Sequence, residues 1–375
     1  MEMPPQLNFI DVLRAPARAL SAKRIFVMTF FLLLGLAVYD IFTYIALAVD
    51  GERLGLIWSV YGLLPFYKLA YGNIIAQIIF GIGVLFMVLS MMMGMFGVSA
   101  IEVESVRGNR FFGPFEAIRF SFRRLGQLFL SELAIAVFLI FIVVLFAIFG
   151  LICRIPFVCV WLYTIFFFIP NFIIAIFTVF IFFVMTLSVL LLPAVAATER
   201  RGEAFTSILE TFSTIIRQPV RWTLYTAYAV VAAKLFSFVY AYFCFRSVQF
   251  IGWASKIGGG EKMDQLIRSG LSHLPLKSDL ARETFNIFPG IDWSIELARW
   301  ARGGGDQAAG HLMAFMLFII FATILGYFLA TVAVGQARGY VVIRYIKDDY
   351  NIAEEKPLFF EDENLNPPIE PEPPE

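Results

Sequence analysis

The sequence predicts an all-α fold: a polytopic membrane helix bundle of about six transmembrane helices, in three units of interfacial amphipathic helix plus helical hairpin. Composition is the first observation behind this prediction, because 60% of the 375 residues are hydrophobic and only 15% are charged, against about 25% charged in soluble domains. Length is the second, because the apolar residues form blocks that reach the roughly 20 residues needed to cross a bilayer. The net charge of zero predicts no general affinity for nucleic acid.

Residues 1–24 form a mixed segment before the first apolar block, and they contain Pro4, Pro5 and Pro16. They lack the basic stretch, the short apolar core and the small-residue cleavage site of a signal peptide. We therefore expect this segment to be a cytoplasmic interfacial element, and the first span to be retained.

Six apolar blocks are long enough to be spans of a membrane domain that covers residues 25–345. The predicted spans are 25–49, 73–100, 128–152, 171–198, 222–247 and 311–335. Lys and Arg residues cluster before the first span, in alternate connections and after the last span. These clustered residues are Arg14, Arg18, Lys23, Arg24, Arg107, Arg110, Arg119, Arg123, Arg124, Arg200, Arg201, Arg217, Arg221, Arg338, Arg344, Lys347 and Lys356. The short opposite connections contain only Arg53, Lys68 and Arg154. Since cytoplasmic flanks are enriched in Lys and Arg, we expect a multi-pass protein of the inner cell membrane with both termini in the cytoplasm.

The segment VWLYTIFFFIPNF, residues 160–172, leaves the topology open at one point. If it were a separate span, every later connection would change sides, and the Arg-rich connection at 199–221 would face outward, against the Lys and Arg distribution. We favour a short interfacial or re-entrant segment that is broken at Pro170. Inclusion in one long kinked span is the other interpretation.

Three stretches on the basic side share a pattern that defines the three units. They are FIDVLRAPARAL from Phe9, FEAIRFSFRRL from Phe115 and FTSILETFSTII from Phe205, and each precedes a span, an outer connection and a return span. Apolar residues at helical spacing predict an amphipathic helix in the headgroup plane. The residues predicted to contact anionic lipid there are Arg119, Arg123, Arg124, Arg217 and Arg221. Ordinary elbow helices that set the tilt of the spans are the simpler interpretation.

Two regions outside the spans have distinct compositions. The outer loop at 248–310 has glycine triplets at 258–260 and 303–305, which predict flexible edges, and the sequence IDWSIELARWA from residue 291, which predicts a short interfacial helix. A loop of about 60 residues is small for an independent core, so we expect a cap over the bundle. Residues 346–375 form an acidic, Pro-rich cytoplasmic tail, in which the sequence EEKPLFFEDENLNPPIEPEPPE from residue 354 predicts disorder. This tail is either simply solvated or a docking segment for a protein partner.

The sequence contains no motif that indicates catalysis or metal binding. It has two histidines, His273 and His311, and it lacks HExxH, paired CxxC and phosphate-loop signatures. GGGD at 303–306 matches the GxGD pattern of intramembrane aspartyl proteases, but its position in a loop would keep Asp306 out of a membrane-embedded dyad. We therefore predict a protein that is not an enzyme and has no cofactor or metal.

The cysteines and a run of methionines carry sulfur atoms that could bind soft metals, but both have ordinary structural interpretations. Cys153, Cys159 and Cys244 do not have the spacing of a disulfide framework, so we expect free, buried thiols, with one oxidised pair as the alternative. The run MMMGM at 91–95 is typical of gap-filling between helices, and soft-metal ligation is the less ordinary alternative.

Three ionisable residues fall inside the predicted spans: Lys234, Asp40 and Glu132. A charge at the bilayer centre costs about 2.5–3.5 kcal/mol on insertion scales, so such residues usually face a partner or a cavity. The flexible Lys234 side chain reaches Asp40 if spans one and five touch. We expect a buried pair that fixes helix packing. A solute or proton path lined by these two residues, and snorkelling of the lysine, are the alternatives.

Span six contains small residues at helical spacing. Ala322, Gly326 and Ala330 are four apart, as are Gly335 and Gly339. Such spacing lets helix backbones approach closely. Span six is therefore predicted to lie at the centre of the bundle, with an oligomer contact as the alternative.

One stretch resembles a known group of proteins. The sequence ERRGEAFTSILETFSTIIRQPVRWTLY, residues 199–225, has an Ala-aromatic-x-Ser start, an amphipathic helix, a Gln-Pro-x-Arg turn at 218–221 and then a span with Tyr225. This arrangement resembles a family of multi-pass membrane proteins of planctomycete-type bacteria, and GPFEAIRFSFRRLG at 113–126 and VVIRYIKDDYNIAE at 341–354 are similar to the same family. The family has no established activity, so the resemblance implies a six-span architecture and no site residue.

Two functions are consistent with these observations. The first is a non-enzymatic integral membrane protein that acts in scaffolding, assembly or envelope organisation, which the lack of catalytic motifs, the interfacial helices and the acidic tail support. The second is a transporter or channel component for a small solute or lipid, which Lys234, Asp40 and the break at Pro170 support. The lipid bilayer is the one partner that the sequence itself indicates.

Overall fold

A computed structural model describes residues 7–66, 73–152, 161, 163–200, 202–274, 276, 278–290 and 307–357. Within these residues the α-helices are, in chain order, α1 (Phe9–Leu13), α2 (Ala15–Ala19), α3 (Ala22–Val49), α4 (Leu54–Tyr61), α5 (Ile74–Val106), α6 (Pro114–Arg123), α7 (Leu125–Ile152), α8 (Phe168–Thr198), α9 (Ala204–Arg217), α10 (Pro219–Gly259), α11 (Glu261–Ser272), α12 (Asp279–Ile287) and α13 (Gln307–Asp348). A π-helical turn, Tyr163–Phe167, precedes α8, and a 3₁₀ turn, Ile352–Glu354, follows α13. The predicted all-α fold class is confirmed.

Five of these helices, α3, α5, α7, α10 and α13, are long and apolar enough to cross a membrane, and the bent α8 makes six if its two parts are counted as one span. The predicted polytopic bundle of about six spans is therefore confirmed. Three spans run further than predicted, because α5 continues to Val106, α10 to Gly259 and α13 to Asp348. At 1.5 Å per residue, α10 and α13 are each about 60 Å long, so they project beyond a hydrocarbon core of about 30 Å.

Helix α8 is bent, but the bend is not at Pro170. Pro170 lies in the first turn of α8, where the missing N–H costs little because first-turn donors have no partner inside the helix. The bend of 44° lies between Phe183 and Thr186. There the Thr186 hydroxyl donates to the carbonyl of Phe182 at 2.9 Å, a contact that often bends helices. The predicted break at Pro170 is wrong, and residues 153–160 lie outside the described part of the chain.

Both Arg-rich connections and the end of α13 lie at one end of the bundle, which we call the basal end. Arg124, before α7, donates to the carbonyl of Arg200, after α8, at 2.7 Å. Arg200 donates to the carbonyl of Lys356, after α13, at 2.7 Å. An even number of crossings therefore separates these residues. The alternative in which 160–172 is a separate span is excluded, because it would place Arg124 and Arg200 at opposite ends. We call the opposite end the distal end.

The three predicted amphipathic stretches form helices at the basal end: α1 with α2, then α6, then α9. In α9 the Phe205 side chain is exposed and Ser207 is buried. In α6 the Phe115 side chain is exposed, while the buried Ser121 hydroxyl donates to the carbonyl of Met93 on α5 at 3.2 Å. Helix α9 thus turns mainly small polar side chains toward the bundle, with Ile215 among them, and α6 turns Ala117, Phe120 and Ser121 inward. The exposed Phe115 and Phe205 lie on the opposite faces of these helices.

The most completely buried part of the protein lies toward the basal end. Helix α5 is buried throughout 98–104, α8 throughout 191–198 and α13 throughout 330–343. In contrast, most side chains of α7 and of the first half of α8 are exposed, as expected for helices whose neighbours are lipid chains. The basal layer, which we define as these three buried stretches with α1, α2, α6 and α9, is therefore the protein-filled core.

Helix α13 is the central helix of the bundle. A Cβ atom at Gly326 would collide with the Thr29 side chain of α3, and one at Gly335 would stand 2.5 Å from the Ala229 side chain of α10. Helix α13 also contacts α5, α8 and α11. The prediction that the small residues of span six place it at the centre of the bundle is confirmed.

The described part of the outer loop packs on the distal end. The glycine triplet at 258–260 ends α10 and turns into α11, with φ of +65° at Gly260, so it is a turn between two helices. Helix α11 packs against α10 and α13. Gly62 and Leu276 form an antiparallel bridge, which ties the loop to the first outer connection. The predicted helix and second glycine triplet at 291–305 lie outside the described residues.

The beginning of the predicted tail is folded, and the prediction of disorder, which began at residue 354, is wrong for residues 354–357. Helix α13 continues to Asp348, and Ile352 is fully buried in the basal core. Asp349 adopts the left-handed conformation, with φ of +53°, at the point where α13 ends. Residues 358–375 lie beyond the described part of the chain.

We predict that Gly335→Leu destabilises the bundle, because the new side chain has to displace α10 and overpacking costs about 1–3 kcal/mol. Thermal unfolding in detergent, followed by tryptophan fluorescence, should show a lower midpoint than for the wild type. Gly81→Leu on α5 is the matched control, since nothing lies within 4 Å of a Cβ atom there. Equal midpoints for the two variants would show that α13 and α10 are not in close contact.

Candidate functional site: a charged basal layer

A glutamate inside the basal layer gathers three arginines. Glu102, on α5, is 0% exposed. Its Oε2 accepts a hydrogen bond from Nη2 of Arg24 on α3 at 2.6 Å, and its Oε1 accepts one from Nη1 of Arg18 on α2 at 3.2 Å. The Nε atom of Arg338 on α13 donates to the same Oε1. One carboxylate therefore joins four helices.

The charges around Glu102 depend on one another. Taking a carboxylate out of water costs several kcal/mol, and charge-assisted hydrogen bonds to guanidinium groups offset that cost. Arg24 also donates from Nη1 to the carbonyl of Arg18 at 2.9 Å and to the hydroxyl of Ser21 at 3.0 Å. Among the described residues, Nε of Arg24 and Nη1 of Arg338 are buried without an acceptor. The arginines therefore offer more donors than Glu102 can accept.

A second cluster holds the segment that follows α13. Arg107, at the end of α5, lies between Glu104, at 3.1 Å from Nη1 to Oε1, and Glu355, at 2.5 Å from Nη2 to Oε2. Arg107 also donates to the carbonyl of Thr198 at 3.1 Å. Arg200 adds a contact from Nε to Oε2 of Glu355 at 3.4 Å. The chain after α13 is thereby fastened to the ends of α5 and α8.

The surroundings of Glu355 favour its ionised form. Burial alone would raise the pKa of this carboxyl, but the hydrogen bond from Tyr350 and the charges of Arg107 and Arg200 outweigh burial and hold the pKa below its ordinary value of 4.5. Because the folded-state pKa is lower than the unfolded one, Glu355 contributes its full stabilisation above the ordinary pKa. This contribution is lost as the pH falls through the folded-state pKa.

A third cluster joins α9 to α13. The Nζ atom of Lys347 lies 2.6 Å from Oε1 of Glu210 and 3.3 Å from the hydroxyl of Ser213. The Tyr340 hydroxyl donates to the same oxygen of Glu210 at 3.4 Å. The polar face of the third interfacial helix is therefore fixed to the last span by charge as well as by packing.

The two residues predicted to form a buried pair do not meet. Lys234, on α10, is exposed, and its Cε atom lies 3.6 Å from the position that a Cβ atom of Gly290 would take. Asp40, on α3, is buried, and its Oδ1 accepts the N–H of Leu64 at 2.9 Å. Within the described residues neither side chain takes part in an ion pair. The predicted contact between Lys234 and Asp40 is therefore not formed.

Asp40 instead shapes the first outer connection. Leu64 adopts the left-handed conformation, with φ of +58°, which is uncommon for a residue other than glycine. Asp40 binds the N–H of this residue, and the neighbouring Tyr39 hydroxyl donates to the carbonyl of Pro65 at 2.7 Å. The distal part of α3 thus holds the connection close to the bundle.

Glu132, the third predicted intramembrane charge, lies on α7 beside its contact with α9. Its side chain is partly buried, and one carboxylate oxygen has no hydrogen-bond partner among the described residues. Neighbouring side chains join the two helices: Gln127 donates to the hydroxyl of Ser207 at 2.7 Å, and Ser131 donates to the carbonyl of Ala204 at 3.2 Å. Glu132 lies outside the three ion-pair clusters.

The arginines predicted to contact lipid fall into two groups. The exposed group comprises Arg119, Arg123, Arg217 and Arg221. Arg124 is partly buried, donates to the carbonyl of Arg200 at 2.7 Å and lies 5.6 Å from the ring centre of Phe120. Arg124 therefore fixes a connection, whereas the other four present their side chains at the surface.

The remaining chemistry-bearing side chains have local contacts. The rings of His273 and His311 lie with their centres 4.4 Å apart near the distal end. Cys244 is free and partly buried, whereas Cys153 and Cys159 lie outside the described residues. Most methionines of the MMMGM run are buried in the core, as the gap-filling interpretation predicts.

The central residue of the site has no motif that singles it out in the sequence. The Lys and Arg distribution treats Arg18, Arg24 and Arg338 as charges that flank spans, and it says nothing of Glu102. One usable signal is the position of Glu102 directly after an apolar span, where an unpaired carboxylate is costly. Arginine is the residue best suited to a buried ion pair, but the sequence does not show which arginines approach it.

The fold and the charged basal layer define a class: a polytopic helical membrane protein whose spans are joined to interfacial helices by buried ion pairs. Comparison with protein-family models, with curated proteins and with solved structures gives no match to this chain. The resemblance to membrane proteins of planctomycete-type bacteria therefore stays a prediction.

We predict that Glu102→Gln lowers the free energy of unfolding by about 3 kcal/mol or more, because it leaves buried arginines without their counter-charge. The double variant Glu102→Leu with Arg338→Met should lose less than the sum of its single changes, since the two residues share one network. The midpoint of thermal unfolding in detergent measures both effects.

Glu261→Gln is the control for this series. Glu261 pairs with Lys256 at 3.3 Å, but both side chains are exposed, and such pairs contribute about 1 kcal/mol or less. If Glu102→Gln and Glu261→Gln unfold at the same temperature, the Glu102 cluster does not hold the basal layer together.

The pKa of Glu355 leads to a prediction about pH. Residues 349–357 should be protected from hydrogen–deuterium exchange at neutral pH and lose protection as the pH falls below about 4.5, once exchange rates are corrected for their intrinsic pH dependence. Glu355→Gln should already lack this protection at neutral pH. Glu354→Gln, a change at the exposed neighbouring residue, should keep it, and equal exchange in the two variants would argue against the clamp.

Proposed function

We propose that the protein is a non-enzymatic scaffold or assembly protein of the inner cell membrane, which presents its acidic C-terminal segment from a rigid base. The observation that carries the proposal is the binding of Glu355 by Arg107 and Arg200. Because Glu355 is fixed to the ends of two spans, the chain has a defined position shortly before the acidic, Pro-rich residues 358–375. Pre-organisation of this kind lowers the entropic cost of binding a partner.

The charge distribution supports a cytoplasmic basal end with both termini on that side. The Arg-rich connections and the exposed Arg119, Arg123, Arg217 and Arg221 all belong to this end, and such enrichment is typical of cytoplasmic flanks. Exposed apolar residues beside them, such as Phe115 and Phe205, favour contact with the headgroup region of a leaflet that contains anionic lipid.

The positions of the intramembrane charges give less support to the transporter or channel alternative. Asp40 is bound to Leu64, and Lys234 lies beside Gly290, so no contact between the two supports a common polar path. The predicted break at Pro170 gives no support either, since Pro170 lies inside the first turn of α8 and the bend of this helix lies between Phe183 and Thr186.

Affinity purification in mild detergent, followed by mass spectrometry of intact complexes, tests the scaffold proposal. We expect a stoichiometric protein partner on the full-length protein that is lost when residues 358–375 are removed. We also expect weaker binding, by about tenfold, for Glu355→Gln, because a loosened exit point gives up pre-organisation.

Glu354→Gln serves as the control, since it changes an exposed carboxylate outside the ion pairs with Arg107 and Arg200. Binding should be the same as for the wild type. A protein that purifies alone both with and without residues 358–375 would refute the proposal.

A further inference from the structure

A cavity of about 310 Å³ lies between the spans, toward the distal side of the basal layer. Helices α3, α5 and α13 form its walls, and α12 of the outer loop, with the following Phe288, completes the lining. The lining includes Leu36 of α3, Met87 of α5 and Phe328 of α13, and α12 contributes Leu280. Leu36 lies near the middle of α3, so the cavity is within the membrane-spanning part of the bundle.

The walls of the cavity are almost wholly apolar. The two lining residues with hydroxyl groups direct them elsewhere, because Tyr39 donates to the carbonyl of Pro65 at 2.7 Å and Thr284 donates to the carbonyl of Leu280 at 2.7 Å. Water in a buried site needs two to four polar partners, and the walls supply almost none. The lining therefore favours a hydrocarbon ligand over a polar solute.

The size of the cavity fits part of one acyl chain. An apolar cavity of about 150 Å³ takes up benzene, which has six carbons, so a cavity twice as large has room for roughly twelve. Val84, Phe66 and Phe288 line the cavity and are also exposed, which indicates an opening at the side of the bundle. Val84 belongs to the span α5, whose exposed side chains face lipid in a membrane, so a lipid chain is the ligand with direct access.

A cationic group lies beside this part of the protein. Lys234 is exposed and lies next to Gly290, which is two residues from the lining residue Phe288. An ammonium group at the surface of a span is favourable when its flexible stem carries it to a polar headgroup. The anionic group that a phospholipid offers to an ammonium group is its phosphate.

We propose that this cavity binds one acyl chain of a phospholipid whose phosphate lies at Lys234. The proposal goes beyond the scaffold function, since it needs neither the acidic tail nor a protein partner. It also gives a role to a lysine that forms no ion pair with any residue in the described part of the chain.

Photolabelling of the full-length protein tests the proposal. The probe is a phosphatidylglycerol with a diazirine midway along one acyl chain, incorporated into phosphatidylcholine vesicles. Labelled peptides should come from the cavity walls on α3, α5 and α13. Val84→Trp should lower this labelling by about tenfold, and Lys234→Gln by about threefold, whereas Lys234→Arg should retain it.

Val88→Trp is the matched control for Val84→Trp. The two valines are one turn apart on α5 and similarly exposed, at 40% and 37%, but only Val84 lines the cavity. Leu33→Trp, which also fills the cavity, and its neighbour Leu34→Trp, which does not, form a second pair in case the first variant folds poorly. Unfolding midpoints identify variants that have lost their fold.

Three results would overturn the proposal. Equal labelling of the cavity-filling variants and their controls would show that no chain enters the cavity. If labelling falls in Val84→Trp but not in Lys234→Gln, the lipid phosphate does not lie at Lys234. Labelling of the same peptides by a diazirine fatty acid, but not by the phospholipid, would identify a free fatty acid as the ligand.

Discussion

The carboxylate of Glu102 is the contact on which the basal layer depends. It receives guanidinium groups from α2, α3 and α13 while it is itself part of α5, and none of these four elements can leave without exposing the others to an uncompensated buried charge. The neighbouring clusters lie on the same helices, because Arg107 caps the end of α5 and Lys347 is in the last turn of α13. The interfacial helices and the segment after α13 are therefore attached to a framework that one side chain holds together.

The class of fold is predictable from the sequence because the signal is local. An apolar run of span length needs a membrane whatever its neighbours are, and the helical spacing in α6 and α9 is visible within about ten residues. The ends of the spans are less predictable. Helices α5 and α13 continue past their apolar runs because protein, not lipid, surrounds Glu102 and Arg338 there. Hydropathy therefore places the ends too early.

The candidate site is harder to predict, because its members are far apart in the chain. Arg18 lies 84 positions from Glu102, and Arg338 lies 236 positions away, so no window of sequence contains the site. The predicted pairing of Lys234 with Asp40 is wrong for the same reason. The sequence shows that the two residues carry opposite charges, but helix packing decides which side chains come into contact. Among the described residues, Asp40 accepts the backbone N–H of Leu64 and forms no ion pair with a lysine. The central position of α13, by contrast, is predictable from the spacing of its small residues. Two helices can approach closely when only one of them has small residues at the contact.

The inward-facing polar side of α9 and the outward-facing Phe205 have a mechanical consequence. Ion pairs and hydrogen bonds hold this helix to the protein, so its apolar side stands at a set height on the bundle. The headgroup region of one leaflet has to lie at the level of this helix. If the leaflet lay lower, apolar side chains would be exposed to water, and if it lay higher, charged side chains would be buried in hydrocarbon. Changes in bilayer thickness are therefore taken up by the other leaflet, around the long distal end of α10.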